Sequence, residues 1–169
     1  MENIFISLEK EVFKGNVLDI TYDNRSVIYN VNKYYDNFVE VDYLDGSSKD
    51  KEEIANYYDS CILFFSLNKL NGIRERQSLF KDIYNLMNPN GYLYIWDINK
   101  ELYKTTSKTI IVGLPDNTIT RFQVNCKNLM MNNSKAEIIK DLEEFFVLVE
   151  VVTSDEAFKI VCKRKEEIN

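Results

Sequence analysis

Residues 60–67, Ser60-Cys61-Ile62-Leu63-Phe64-Phe65-Ser66-Leu67, form an almost unbroken apolar run. A run too short for a helix and apolar on every side reads as a strand covered on both faces, the pattern of a central parallel strand. On either side lie further strand-like runs: Asn16–Ile20 (NVLDI), the alternating Phe38–Leu44 (FVEVDYL) and Tyr92–Ile98 (YLYIWDI). Between them the period changes. From Asn24 to Asp36, Val27, Ile28, Val31, Tyr34 and Tyr35 fall on one helical face despite their β-branched content, and Ile73, Leu79, Phe80, Ile83, Leu86 and Met87 do the same over Gly72–Met87. Asn88-Pro89-Asn90-Gly91 is expected to end that second helix, and the charged stretch 49–58 to form a short solvated one.

Outside this central block, Ile4, Leu8 and Val12 at steps of four predict an amphipathic helix over 3–13, stopped by Gly15. After Lys104 two β-type runs, Thr109–Val112 and Ile119–Val124, flank the turn residues Pro115, Asp116 and Asn117 and predict a hairpin. Ser134 with Glu137 three residues on is a capping-box pattern opening a helix over 134–145. Runs 147–152 and 157–163 then predict a terminal hairpin. The alternation of strand and helix predicts an α/β fold: a Rossmann-like three-layer αβα sandwich, its sheet mostly parallel with an antiparallel C-terminal edge hairpin. One domain over 1–169 is expected, with a β-hairpin insertion at about 107–125. Ligands of such sheets sit beyond the carboxyl ends of the strands, here near Ile20, Asp42, Leu67 and Ile98.

Composition narrows the chemistry. The chain has 169 residues, 45% apolar and 28% charged, enough for a packed core and short of the disordered class. It contains no histidine, which excludes a histidine-based triad and a histidine-ligated metal. A net charge of −6 disfavours nucleic acid and anionic lipid surfaces as partners. No apolar run approaches the roughly 18 residues of a membrane span. Cys61, Cys126 and Cys162 are widely spaced in apolar stretches and read as reduced, buried thiols. With no basic, cleavable leader at its start, the chain is expected to be cytoplasmic.

The order and spacing of these segments resemble the class I S-adenosylmethionine-dependent methyltransferases over most of the chain. NVLDI resembles that family's first strand, and Val41-Asp42 the end of its second, where an acidic residue binds the ribose hydroxyls. Tyr58–Leu67 resembles the fourth strand, and Leu86-Met87-Asn88-Pro89-Asn90-Gly91-Tyr92-Leu93 the turn leading into the fifth. The closing helix and hairpin, ending in DEAFKIVCKRK, complete the likeness. The resemblance implies a methyltransferase-like fold, S-adenosylmethionine as the cofactor, and Asp19, Thr21, Asp23, Asp42, Ser66 and Asn68 as the residues that would meet it. The catalytic residues stay unassigned.

Two departures bear on activity. Where the family has a glycine-rich loop, this chain has Thr21, Tyr22, Asp23, Asn24 and Arg25, side chains where bare backbone must approach a ligand. Only sixteen residues separate Asp42 from Asp59, room for one short crossover helix, so the family's third strand is expected to be missing. Individually, Asp42 also reads as a local cap, Asp19 as a structural acceptor of loop amides, and Trp96 as core. Asp42, Asp45 and Asp50 lack the D-x-D-x-D-G pattern of a calcium loop and read as a solvated turn. The expected function is a methyltransferase-like protein with a degenerate cofactor site, binding S-adenosylmethionine weakly or not at all. It would serve as a non-catalytic interaction or regulatory module with a protein partner or a second copy. An active small-molecule methyltransferase with a remodelled pocket is the alternative, and a binder of another ligand, or a dimer formed through the 107–125 hairpin, the third.

Overall fold

The computed structural model describes residues 2–22, 26–35, 41–45, 55–154 and 156–167. In chain order the elements are β1 (Glu2–Ser7), β2 (Val17–Thr21), α1 (Val27–Tyr35), β3 (Val41–Asp45), β4 (Tyr58–Phe64), α2 (Ile73–Leu86), β5 (Met87–Ile98), β6 (Thr106–Gly113), β7 (Ile119–Cys126), α3 (Lys135–Leu142), β8 (Phe146–Ser154) and β9 (Ala157–Arg164). A single 3-10 turn, Leu67–Lys69, lies between β4 and α2. Six strands form one sheet in the order β3-β2-β4-β5-β9-β8, and three form another in the order β1-β6-β7. In the larger sheet β3, β2, β4 and β5 run parallel, while β9 and β8 are antiparallel.

Alternation along each strand divides the core. One face of the large sheet presents Leu18, Ile20, Cys61, Leu63, Leu93, Ile95 and Ile160 to Phe80, Ile83 and Leu86 of α2 and to Ile138 and Leu142 of α3. The other presents Val17, Ile62, Phe64, Trp96 and Ile98 to Val27, Ile28 and Val31 of α1 and to the small sheet through Ile4, Ile110, Val112 and Val124. The fold is therefore Rossmann-like and layered, but the expected αβα sandwich needs correction. One outer layer is helical, and the other combines a single helix with three strands. The helix expected at 3–13 is instead β1, paired parallel with β6 from Glu2↔Lys108 to Ser7↔Gly113. Its burial alternates: Ile4 is buried, Phe5 is 69% exposed, and Val12, needed for the helical stripe, is 48% exposed. The decisive partner lies about a hundred residues away, out of reach of any local period.

Other expectations meet the structure closely. The Ser134 hydroxyl caps α3 by accepting the Glu137 amide at 3.4 Å. Helix α1 forms and buries Val27, Ile28 and Val31 as its spacing marked, but Tyr34 and Tyr35, expected on the same face, are exposed and Asn32 is buried instead. Residues 88–91 do not only end α2: β5 begins at Met87, and its pairing with β4 shifts register between Tyr58↔Met87 and Ser60↔Tyr92. The region 46–54, where the short helix was expected to start and the third strand to be missing, lies outside the described residues. Among the described residues β3 is the sheet's edge. No helix among them is long and apolar enough to cross a membrane.

Candidate functional site

The carboxyl ends of β2, β3, β4 and β5 meet along one edge, the place where parallel α/β sheets hold ligands. Register fixes what stands there. Leu18 is opposite Asp42, and Thr21 is opposite Asp45. The strand thus runs three residues past Asp42, and Asp45 occupies its carboxyl end, a position that the alternating pattern of 38–44 did not mark. Asp19, only 4% exposed, lines a crevice of about 10 Å³ with Thr21, Ser26, Val27, Ile28 and Phe64. That volume is far smaller than the roughly 300–1,000 Å³ of small-molecule pockets. Asp23 lies outside the described residues.

Ser66 and Asn68 follow β4 along the same edge, and both side chains bond inward. The buried Ser66 hydroxyl donates to the Ile20 carbonyl at 2.8 Å, tying the end of β2 to the end of β4. Asn68 donates its amide to the Phe65 carbonyl at 2.7 Å. Phe65 itself holds a left-handed conformation, φ +53°, which a non-glycine residue keeps only when its surroundings fix it. Its amide donates to the Trp96 carbonyl at 2.8 Å and its ring packs on Phe122 with centroids 5.7 Å apart. The buried Asp97 carboxylate accepts the Leu67 amide at 3.0 Å and the Ile98 amide at 2.8 Å.

Behind this edge is a buried polar network with no sequence signature. Arg76 on α2 is fully buried and donates through Nε to Asp141 at 2.8 Å and through Nη1 to the Asn132 carbonyl at 2.5 Å and the Asn133 side chain at 2.7 Å. Asn133 in turn donates to the Leu67 carbonyl at 3.2 Å, and its backbone bridges to Lys100. Lys100 is buried, donates to the Met131 carbonyl at 2.5 Å, and burial lowers its pKa below the ordinary lysine value. A second crevice of about 170 Å³ lies beyond β5, lined by Asn99, Lys100, Glu101, Lys104, Thr106 and Glu156 among others. Among the described residues no three acidic or cysteine side chains gather as a metal site.

The cysteines are no better placed as nucleophiles. All three are free and buried. Burial pushes the Cys126 thiol up to about 12, with the Asp97 carboxylate adding to the shift, and raises Cys61 and Cys162 still further. Treatment of the folded protein with iodoacetamide at pH 8 is expected to add no mass, and denaturation to allow three additions. Rapid native modification of any one would contradict the assigned burial.

No protein-family model matches the sequence, and no curated protein matches it. Solved structures do match in three dimensions. An S-adenosylmethionine-dependent methyltransferase from Methanosarcina mazei aligns with a TM-score of 0.59 at 14% identity, covering 90% of this chain and 93% of that one. The N-methyltransferase NodS from Bradyrhizobium japonicum, solved with S-adenosyl-L-homocysteine, gives 0.54 at 10% identity over 90% of this chain and 79% of its own. A counterpart from Aquifex aeolicus gives 0.51 at 18% identity, over 89% and 70%. At these identities the likeness speaks for architecture alone: the chain has the α/β, Rossmann-like fold of the class I S-adenosylmethionine-dependent methyltransferases.

Proposed function

We propose that this protein keeps a methyltransferase scaffold without an ordinary cofactor site and acts as an interaction or regulatory module. The observation that carries this reading is the inward bonding of the polar groups at the carboxyl ends of β4 and β5: Ser66 on Ile20, Asn68 on Phe65, and the Asp97 carboxylate on the Leu67 and Ile98 amides. Groups that would receive a nucleoside already satisfy the protein's own backbone, and freeing each would leave a buried carbonyl or amide unpaired at about 1–3 kcal/mol. Thr21 adds to this, since its pairing opposite Asp45 continues the strand where the family's backbone turns away as glycine. The residues described at this edge do not fit S-adenosylmethionine in the family's manner. An interaction role draws support from β8, which stands at the sheet edge and exposes Val147, Val149, Val151 and Val152.

Calorimetry with S-adenosylmethionine and S-adenosylhomocysteine tests the proposal: no saturable binding is expected up to about 1 mM, a limit of roughly −4 kcal/mol. A micromolar dissociation constant for either would overturn it. The second reading, an active methyltransferase with a remodelled pocket, is favoured by the crevice beyond β5, where an acceptor could sit against Asn99 and Thr106. It requires methyl transfer from labelled cofactor to some member of a broad acceptor panel, by approximation alone and without histidine.

A further inference from the structure

The opposite end of the sheet holds a group that the fold's ordinary ligand edge does not involve. Arg164, the last residue of β9, is 6% exposed. Buried guanidinium groups ordinarily face a carboxylate, because an unpaired buried charge is costly. Among the described residues this one faces none within ion-pair distance. Its hydrogen bonds all run through Nη1, to the Asn56 side chain and the Met87 carbonyl, each at 2.5 Å. Nε is buried without an acceptor, and among the described residues Nη2 makes no hydrogen bond. The guanidinium carbon sits over the Tyr84 ring, 4.3 Å from its centroid, and Tyr84 packs against Phe145 with centroids 5.6 Å apart.

These groups line a cleft of about 420 Å³ together with Ala55, Asn85 and Glu167. Nε and Nη2 form the side of a guanidinium that matches the two oxygens of a carboxylate or phosphate. Here that side is unmatched, while Nη1 and the ring contact hold the group fixed. Asn56, in the left-handed conformation at φ +57°, is held in its turn by donating its amide to the Asn85 carbonyl at 3.1 Å. Glu167, the only carboxylate in the lining among the described residues, is exposed.

We infer that this cleft at the amino-terminal end of β4 and β5 is a binding site for a small ligand carrying an oxyanion on a flat ring. The oxyanion pairs with Nη2 of Arg164, beside the enclosed Nε, and the ring lies against Tyr84 and Phe145. The inference is independent of whether the carboxyl edge takes a nucleoside. Phenyl phosphate and benzoate are suitable probes, one for each oxyanion, with inorganic phosphate and toluene as the half-ligands.

The test is a titration of the full-length, isotope-labelled protein, following the Nε–H resonance of Arg164 and, in parallel, calorimetry. Saturable movement of that resonance with phenyl phosphate or benzoate is expected, with at least tenfold weaker binding of inorganic phosphate or toluene. Arg164→Lys removes the planar fork and is expected to weaken binding about tenfold, near 1.4 kcal/mol. Glu167→Gln removes a competing negative charge and is expected to tighten it several-fold. An immobile Nε–H resonance with both probes at about 10 mM, weaker than any specific site of this size, would overturn the inference. So would full affinity in folded Arg164→Lys. If that variant does not fold, the wild-type resonance and the Glu167→Gln comparison decide the matter, and an unmoved affinity in Glu167→Gln with an unmoved resonance counts against it.

Discussion

Arg76→Met is expected to destabilise the fold by about 3–5 kcal/mol, the cost of removing one member of a buried ion pair. For a chain of this size that is a fall in melting temperature of roughly 10 °C. The cause is distributed. Nε holds Asp141, while Nη1 holds both the Asn132 carbonyl and the Asn133 side chain. Nη2 lies 2.6 Å from the Asp141 carboxylate but away from a hydrogen-bonding direction, so the pair is held chiefly through Nε. Methionine fills the volume and leaves all three acceptors wanting, with Gln77 as the remaining partner of Asp141 at 3.1 Å. Asp141→Leu in the Arg76→Met background should recover a large part of the loss, because the stranded carboxylate then goes too. Denaturant melts of the two single variants and the double variant measure this, and simple additivity would show that the groups do not act together.

The same substitution should be felt at the carboxyl edge. Asn133, released from Arg76, is the residue that reaches the Leu67 carbonyl and exchanges backbone bonds with Lys100. Hydrogen exchange at the amides of Lys100 and Asn133 is therefore expected to accelerate while that of Cys61 and Leu63, deep in β4, follows only the global change. This links the helical layer to the proposed function: loops that in relatives of this fold would meet a ligand are here braced from behind.

How much of this could be read from the chain is decided by the range of the interactions. The central block was legible because period is local. The apolar run at 60–67 and the helical faces at 27–35 and 73–86 each carry their own evidence within a few turns. The segment at 2–7 was not, since its alternation is masked by Leu8 in the following turn, and its strand identity depends on β6. Arg76 stands in the charged sequence Ile73-Arg74-Glu75-Arg76-Gln77 and looks like one more solvated residue. Only a loop more than fifty residues later buries it. At the site, position was legible and direction was not. The sequence marked Ser66 and Asn68 as the residues after β4, but whether a hydroxyl faces a cleft or a neighbouring carbonyl depends on how the end of β2 lies beside it.

Gly15→Ala is expected to cost about 3 kcal/mol, from left-handed strain together with a lost hydrogen bond. The sequence reading gave Gly15 the task of stopping a helix. In the structure it turns the chain into β2 at φ +72°, a conformation in which a side chain is strained whatever its neighbours. Its neighbour makes matters worse: an added Cβ would stand 2.0 Å from Oδ2 of Asp59 and 2.6 Å from its Cβ. Asp59 is held there by the Asn16 amide, which donates to that same oxygen at 2.9 Å, and by its own amide, which donates to the Asn16 carbonyl at 2.9 Å. Moving the carboxylate aside therefore breaks one of the bonds that tie the start of β2 to the start of β4. Two contributions can be separated. In an Asp59→Gly background, which removes the Asp59 Cβ as well as the carboxylate, the steric part disappears, and Gly15→Ala should then cost only the backbone share, about 1–2 kcal/mol. An equal cost of Gly15→Ala in both backgrounds would mean that the close approach of Asp59 has no bearing on this turn, and that the glycine is required for its dihedral alone.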